Sequence, residues 1–428
     1  FPHPRRPAVG LGPAESRAGM ARSVPTFLVG AEEQREILDQ FQRRCLHFSE
    51  AYQKNKPLCF TARSYQKTHP DKESEGREDA DATLTSPMLL GICDGVSQIS
   101  DYGLDPAELP RELLRSCKKV AASQLFANAT KTMEDSYGGP ISLLKDAYSE
   151  TESLGSTSVL LAVMDNTTTI HGKLHPMIGV VTLGDCELVM LRRTGGRESR
   201  LQLVLHTEMQ RIGGHNQTPL QLARLSESLD PAFDEDEALE AIEQGSGLHC
   251  TSAYEGDVLI LGSDGVFDNL FLSEVVDICN QKLPPSVKTG AFTPAKPALL
   301  MDIARGIVEK AHAKSEIRFD RPVQHTPLGV GGKADDTSVV VAEVTEWTRA
   351  RRELWERSRG GNSGWRRMLS CNDVQASPSP VRGRNLRSIS GLTSPESEDV
   401  SEDEECRDVM AGCSFLSGAG LRLPLFWT

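Results

Sequence analysis

Apolar runs that stop abruptly at a carboxylate recur along this chain, and that pattern restricts what it can fold into. Between Asp257 and Leu270, the residues Val258, Leu259, Ile260 and Leu261 have the β-branched and aliphatic character of a core strand. A turn at Gly256-Asp257 introduces them, Ser263-Asp264-Gly265 ends them, and a second acid follows at Asp268. Met88 to Cys93 runs into Asp94-Gly95 in the same way, and Ile178 to Leu183 runs into Gly184-Asp185. An acid at such an edge either caps the following turn or ligates a cation. Repetition favours the cation, because strands that all end in acids at one edge concentrate negative charge. Unpaired buried carboxylates cost several kcal/mol each.

The acids at strand ends or in tight loops are Glu78-Asp79, Asp94, Asp185, Asp264, Asp268 and Asp335-Asp336, with no His or Cys partners. All-oxygen donors select Mg2+ or Mn2+ rather than zinc. Two such ions roughly 3.5 to 4 Å apart would activate a water for in-line displacement at phosphorus, which is the chemistry of phosphoester hydrolysis.

The bulk properties exclude several other classes. A net charge of -13 argues against a nucleic-acid binder, since an acidic surface repels phosphate backbones. The ten cysteines include no C-x-x-C pair and are scattered through apolar runs and helical patterns, which favours reduced thiols over a disulfide framework or a zinc site. No apolar stretch approaches the roughly 20 residues needed to span a bilayer as a helix.

Along the chain, residues 1–30 carry Arg5, Arg6, Arg17 and Arg22 against the single acid Glu15. They read either as the remnant of an organellar presequence or as an untidy N-terminus. Spacing predicts an amphipathic helix within 31–57 that packs on the following domain, and a domain over 58–347. Inside that domain, helices are expected over Ala107–Phe126, Leu143–Tyr148, Glu237–Gln244 and Leu299–Lys314. Another is expected from an N-cap at Ser273 to about Lys282. Strands are expected at Val159–Asp165, Met177–Asp185, Leu188–Arg192, Leu201–His206 and Val339–Val344. Residues 348–428 lack sustained apolar periodicity and are expected to be mostly disordered. Ser377-Pro378, Ser379-Pro380 and Ser394-Pro395 there resemble proline-directed kinase sites, so kinases are expected partners of the tail. The segment Ser394–Asp408 is acidic, with Arg407 its only base.

With these residues in hand, the chain resembles the metal-dependent Ser/Thr protein phosphatases of type 2C. The matching motifs are Glu78-Asp79-Ala80, Asp94-Gly95-Val96, Gly155-Ser-Thr157, Leu183-Gly-Asp185, Ser263-Asp-Gly-Val-Phe-Asp-Asn269 and Asp335-Asp-Thr-Ser-Val339, in the family's order. Asp101-Tyr-Gly-Leu-Asp-Pro106, Thr218-Pro-Leu-Gln-Leu222 and Gly331-Gly-Lys333 look more like its organellar branch, which with the Arg-rich leader points to a mitochondrion or plastid and leaves the cytoplasm open. The resemblance implies an α+β fold of two antiparallel sheets packed face to face and flanked by helices, an α-β-β-α sandwich. It implies phosphoserine and phosphothreonine proteins as substrates and two Mn2+ or Mg2+ ions. Asp94 would bridge both ions, Glu78 and the carbonyl of Gly95 would complete one site, and Asp264 and Asp335 the other. Asp185 and Asp268 resemble acids that hold waters or a weaker third metal, and Asp79 resembles an acid that supports the ligands from behind.

Two departures bear on mechanism. Many members carry a His after the first Asp-Gly where this chain has Val96, and a phosphate-binding Arg four residues before the Glu where it has Ser74, although Arg77 is adjacent to that Glu. Two other readings compete with a metal-dependent hydrolase. One is a pseudophosphatase that binds phosphoproteins without turning them over. The other is a cysteine phosphatase, suggested by the C-x5-R spacing from Cys186 to Arg192 and opposed by the strand character of Leu188–Leu191.

Overall fold

The computed structural model describes residues 56–68, 70–76, 79–125, 137–193, 200–212, 218–283, 292–316 and 323–360. The chain divides into the units Phe1–Lys54 and Asn55–Thr428, and the described residues belong to the second. The Arg-rich leader, nearly all of the helix expected within 31–57, the tail beyond 360 and Glu78 lie outside the described residues.

The chain opens with β1 (Leu58–Lys67), a short α1 (Pro70–Ser74), β2 (Ala82–Thr85) and β3 (Leu89–Gly95). After a 3-10 turn at Ser97–Tyr102 come α2 (Glu108–Gln124) and α3 (Pro140–Ser149). Next are β4 (Gly155–Asp165), the small hairpin β5 (Thr169–Ile170) and β6 (Lys173–Leu174), then β7 (Met177–Leu183), β8 (Glu187–Arg193), β9 (Leu201–His206) and β10 (Leu222–Arg224). They are followed by α4 (Glu235–Gly245), β11 (Gly247–Ser252), β12 (Val258–Gly262), α5 (Asp264–Phe267), α6 (Leu272–Lys282) and α7 (Pro297–Ser315). The hairpin β13 (His325–Thr326) and β14 (Gly329–Val330), then β15 (Thr337–Glu346) and α8 (Arg349–Gly360), close the described chain.

Among the described residues the long strands form two antiparallel sheets, ordered β1-β15-β12-β8-β9 and β11-β7-β4-β3-β2, with β10 pairing on β4. The central strands read as unbroken apolar runs because both of their faces are buried. In β12, Leu259 and Leu261 enter the core between the sheets while Val258 and Ile260 enter the core under α6 and α7. In β4, Leu160, Ala162 and Met164 face the inter-sheet core, and Val159, Leu161 and Val163 face α2, α3 and α4. Alternation between three cores builds four layers, helix-sheet-sheet-helix, as the resemblance implied.

Two local expectations are corrected. The helix after the second Asp-Gly starts at Leu272 with Phe271 as its N-cap, so Ser273 lies inside its first turn. Glu274 reaches back to accept a hydrogen bond from the Phe271 N–H at 3.0 Å, which is what sets the start. Structure also continues into the region expected to be disordered, as α8. One residue, Trp355, explains that: it is 8% exposed and joins Trp347 in the inter-sheet core. Arg351 on the same helix donates to the Thr61 and Thr345 hydroxyls at 2.5 and 2.6 Å. A helix with one buried apolar anchor among charges carries too little periodicity to be read from sequence. No helix among the described residues is long and apolar enough to cross a membrane.

Candidate active site

Strand register puts the acids at one end of the sandwich. Asp94 and Gly95 end β3 opposite Ser158 and Thr157 of β4. In the other sheet, Gly262 at the end of β12 pairs with Val339 of β15 and with Glu187 of β8. Antiparallel pairing therefore brings Asp264, Asp335 and Asp185 to the same edge.

The glycines of the two Asp-Gly pairs have a steric reason. A Cβ on Gly95 would lie 2.2 Å from the Pro106 carbonyl oxygen and 2.7 Å from that of Ala80. A Cβ on Gly265 would lie 2.0 Å from the Asp336 carbonyl oxygen. Each Asp is thus followed by backbone that another loop packs against directly. Thr157 fixes the first pair further, donating its hydroxyl to the Asp94 carbonyl at 2.8 Å. It is buried in the sheet, so Gly155-Ser-Thr157 is a strand entry rather than a nucleophile.

The loop that leads from Glu78 into β2 is pinned by acids. Asp79 accepts from the Asp81 N–H at 3.0 Å, and Asp336 accepts from the Ala80 N–H at 3.2 Å. Asp79 therefore helps to fix this loop. Asp81 was not singled out from the sequence. It is 2% exposed, and neither of its carboxylate oxygens has a hydrogen-bond partner among the described residues.

Charge crowding governs the site. Burial, reinforced by Asp81, Asp264, Asp335 and Asp185, pushes Asp94 well above the usual carboxylate range. Burial and then the charge of Asp264 raise Asp185 to about 7, and they raise Asp268 as well. Burial and Asp336 raise Asp79 to about 6. Asp335 moves the other way: burial pushes it up, but the ammonium groups of Lys333 and Lys72 outweigh burial and hold it below its ordinary value.

Three cations that the sequence reading did not single out for this role are interleaved with the acids. Lys72 from α1 contacts Asp335 at 2.5 Å and Asp336 at 3.5 Å. Lys333 is ion-paired with Asp264, and lies 2.9 Å from Asp335 and 3.7 Å from Asp268. Arg211 places one guanidinium nitrogen 2.9 and 3.1 Å from the two oxygens of Asp268, and 3.7 Å from Asp185. Lys333 stood in a quoted motif, whereas nothing local marks Lys72 or Arg211 as partners of these acids.

With these lysines against the acids, no three His, Cys, Asp or Glu side chains among the described residues close on a single point as metal ligands do. The donor set nevertheless fits a hard divalent cation. Its groups are all oxygens, Asp264 Oδ1 is buried with no hydrogen-bond partner among the described residues, and Asp94 faces four other carboxylates. The cysteine alternative does not fit. Cys186 is buried with its thiol 3.2 Å from the Ser158 hydroxyl, and burial pushes it well above its ordinary pKa, the reverse of an activated thiolate. Arg192 is committed elsewhere, to Asp257.

No family model matches the chain. Curated relatives do. "Probable protein phosphatase 2C 1" of Oryza sativa subsp. japonica is 29% identical over 283 residues, covering 64% of this chain and 72% of its own. "Probable protein phosphatase 2C 26" of Arabidopsis thaliana is 27% identical over 287 residues, covering 64% and 80%. The human "Protein phosphatase PTC7 homolog" is 27% identical over 282 residues, covering 61% and 77%. Among solved structures, the photosystem II phosphatase PBCP is similar at a TM-score of 0.46 and 22% identity, over 66% of this chain and 98% of that one. The plant and human relatives are thus all named protein phosphatases, the plant ones of type 2C, and the sandwich gathers the acids of the matching motifs at one edge: the chain is similar to the type 2C protein phosphatases.

Proposed function

We propose that this chain hydrolyses phosphoserine and phosphothreonine esters of proteins with two Mn2+ or Mg2+ ions. Asp94 would hold both, Glu78 and the Gly95 carbonyl one of them, and Asp264 and Asp335 the other, with Asp185 and Asp268 at a weaker third position. When bound, such ions supply an acidified water nucleophile and a clamp for the phosphoryl oxygens. The observation that carries this reading is the convergence of carboxylates from separate strand ends, one of which, Asp264, keeps a buried oxygen unpartnered among the described residues.

The chain's own groups do the positioning. Thr157 and the backbone packed on Gly95 hold the Asp94 turn, and Asp79 and Asp336 hold the loop that carries Glu78. Arg211 orients Asp268 and partly offsets the burial and the Asp264 charge that raise Asp268 and Asp185. Val96 has no proton to give, so it cannot protonate the leaving group. The family name of the relatives supports a protein substrate, and the Arg-rich leader supports action in a mitochondrion or plastid. Imaging the full chain with and without residues 1–30 tests the compartment.

The activity is tested on purified, Mn2+-loaded full chain with a phosphothreonine peptide and with para-nitrophenyl phosphate. Turnover abolished by EDTA and by Asp264→Asn is the expected result. A folded chain that binds Mn2+ and turns over neither substrate would leave the phosphoprotein-binding reading standing instead.

A further inference from the structure

The three cations at the acidic cluster differ in how far they can move. Side-chain exposure is 15% for Lys72 and 19% for Arg211, but 41% for Lys333. Lys72 is enclosed between Asp335 and Asp336, and Arg211 is held on both oxygens of Asp268. Lys333 combines a solvent-facing stem with an ammonium that lies against Asp264, Asp335 and Asp268.

Its backbone, by contrast, is clamped. The buried amide of Asn269 accepts from the Lys333 N–H at 2.9 Å and donates to the Lys333 carbonyl at 2.9 Å, while also donating to the Gly265 carbonyl at 2.8 Å. Asn269 thereby ties the Asp264 turn to Lys333. The preceding Gly332 runs so close to its neighbours that a Cβ there would lie 2.5 Å from Asn269 Oδ1 and 2.6 Å from Ser315 Cα. The result is a fixed Cα carrying a partly exposed cationic side chain against the acidic cluster.

Lys333 would share its carboxylate oxygens with any divalent cation those acids hold, and like charges repel. Its exposed stem lets the ammonium turn outward, toward the side from which a dianionic phosphate arrives. Where many relatives of this family carry a phosphate-binding Arg, this chain has the uncharged Ser74. We propose that Lys333 binds the substrate's phosphate, with Asn269 as its positioning residue. The assignment rests on the phosphatase reading and gives it a phosphate ligand.

The test compares full-length wild type, Lys333→Met and Lys333→Arg, each loaded with Mn2+. Calorimetry measures the affinity for Mn2+ and for inorganic phosphate, and kinetics measure kcat and KM on a phosphothreonine peptide. Loss of a charge-assisted hydrogen bond predicts that Lys333→Met weakens phosphate binding about 10- to 100-fold and raises KM by a similar factor. Mn2+ affinity should stay unchanged or tighten, and Lys333→Arg should recover most of the phosphate affinity. Unchanged phosphate affinity in folded Lys333→Met overturns the proposal, and so does a fall in Mn2+ affinity that accounts for the lost activity. A wild-type chain that binds phosphate through Lys333 but hydrolyses no ester would instead overturn the phosphatase reading and leave this assignment intact.

Discussion

The two ends of β12 each carry a buried aspartate, and their surroundings are opposite. Asp257, at the start, is 1% exposed and satisfied: Arg192 donates to its two oxygens at 2.7 and 2.8 Å, and the Tyr254 N–H donates at 2.8 Å. The Arg192 guanidinium also stacks 4.1 Å from the Tyr254 ring centroid. Asp264, beyond the other end, is 4% exposed, yet one oxygen has no hydrogen-bond partner among the described residues and the other meets the half-exposed Lys333. Burial alone therefore does not separate a structural acid from a functional one. The difference lies in whether the fold has already spent the carboxylate's hydrogen-bonding capacity, because a buried acid left incomplete is costly unless a cation completes it.

Substitutions at the two ends should break this comparison in opposite ways. The largest effect is expected from Asp264→Asn: kcat/KM on para-nitrophenyl phosphate falls by at least about 100-fold, as removal of a direct metal ligand should exceed loss of a supporting group. Its thermal midpoint in EDTA should hold or rise, since an unsatisfied charge has been removed. A large loss of stability in this variant would make Asp264 structural after all. Asp257→Ala should do the reverse. It leaves Arg192 without its partner and costs about 3 kcal/mol in chemical denaturation, while the kcat of the folded fraction changes little.

Acidity sharpens the contrast. Asp185 near 7, Asp79 near 6 and Asp94, raised well above its ordinary value, all bind protons more tightly in the folded chain than unfolded. Stability of the EDTA-treated chain should therefore decline as pH rises from about 4, where the unfolded acids ionise, and level off above about 7, once those protons have left the folded state. Asp335 is shifted oppositely, so its contribution is lost only below its ordinary value and does not cancel this trend. A fall in thermal midpoint of about 5 °C between pH 5 and pH 8 is expected, with Mn2+ flattening the slope. A midpoint that rises over this range would contradict the crowded-carboxylate picture. The smallest effect is expected from Cys186→Ser, whose activity should stay within about twofold of wild type because the thiol is a buried neighbour of Ser158.

Much of the scaffold was legible because the relevant signals are local. Val258–Leu261 read as a core strand and lies in β12, Leu201–His206 recurs as β9, and the strand expected over Met177–Asp185 is β7, which ends at Leu183. Places where strands stop could be read from the acids themselves, since a carboxylate cannot continue a run that is buried on both faces. Weak local signals failed. Trp355 anchors α8 through contacts made across the sheet, and Phe271 rather than Ser273 caps α6 because Glu274 reaches back to its N–H. Strands β1 and β11 also escaped the sequence reading, their identity resting on partners distant in the chain, β15 and β7.

The amino-acid order alone established where acids leave the core and that their donors are all oxygen, because both facts depend on a few consecutive residues. It placed Asp257 in a turn and Asp264 among the candidate ligands, but it could not name the groups that answer either carboxylate. Folding supplied those groups. The partner that completes Asp257 is 65 residues away, and the lysine that only half answers Asp264 is 69 residues away. Whether a carboxylate is satisfied depends on the space around it, and that space is assembled only when β8, β12 and β15 pair.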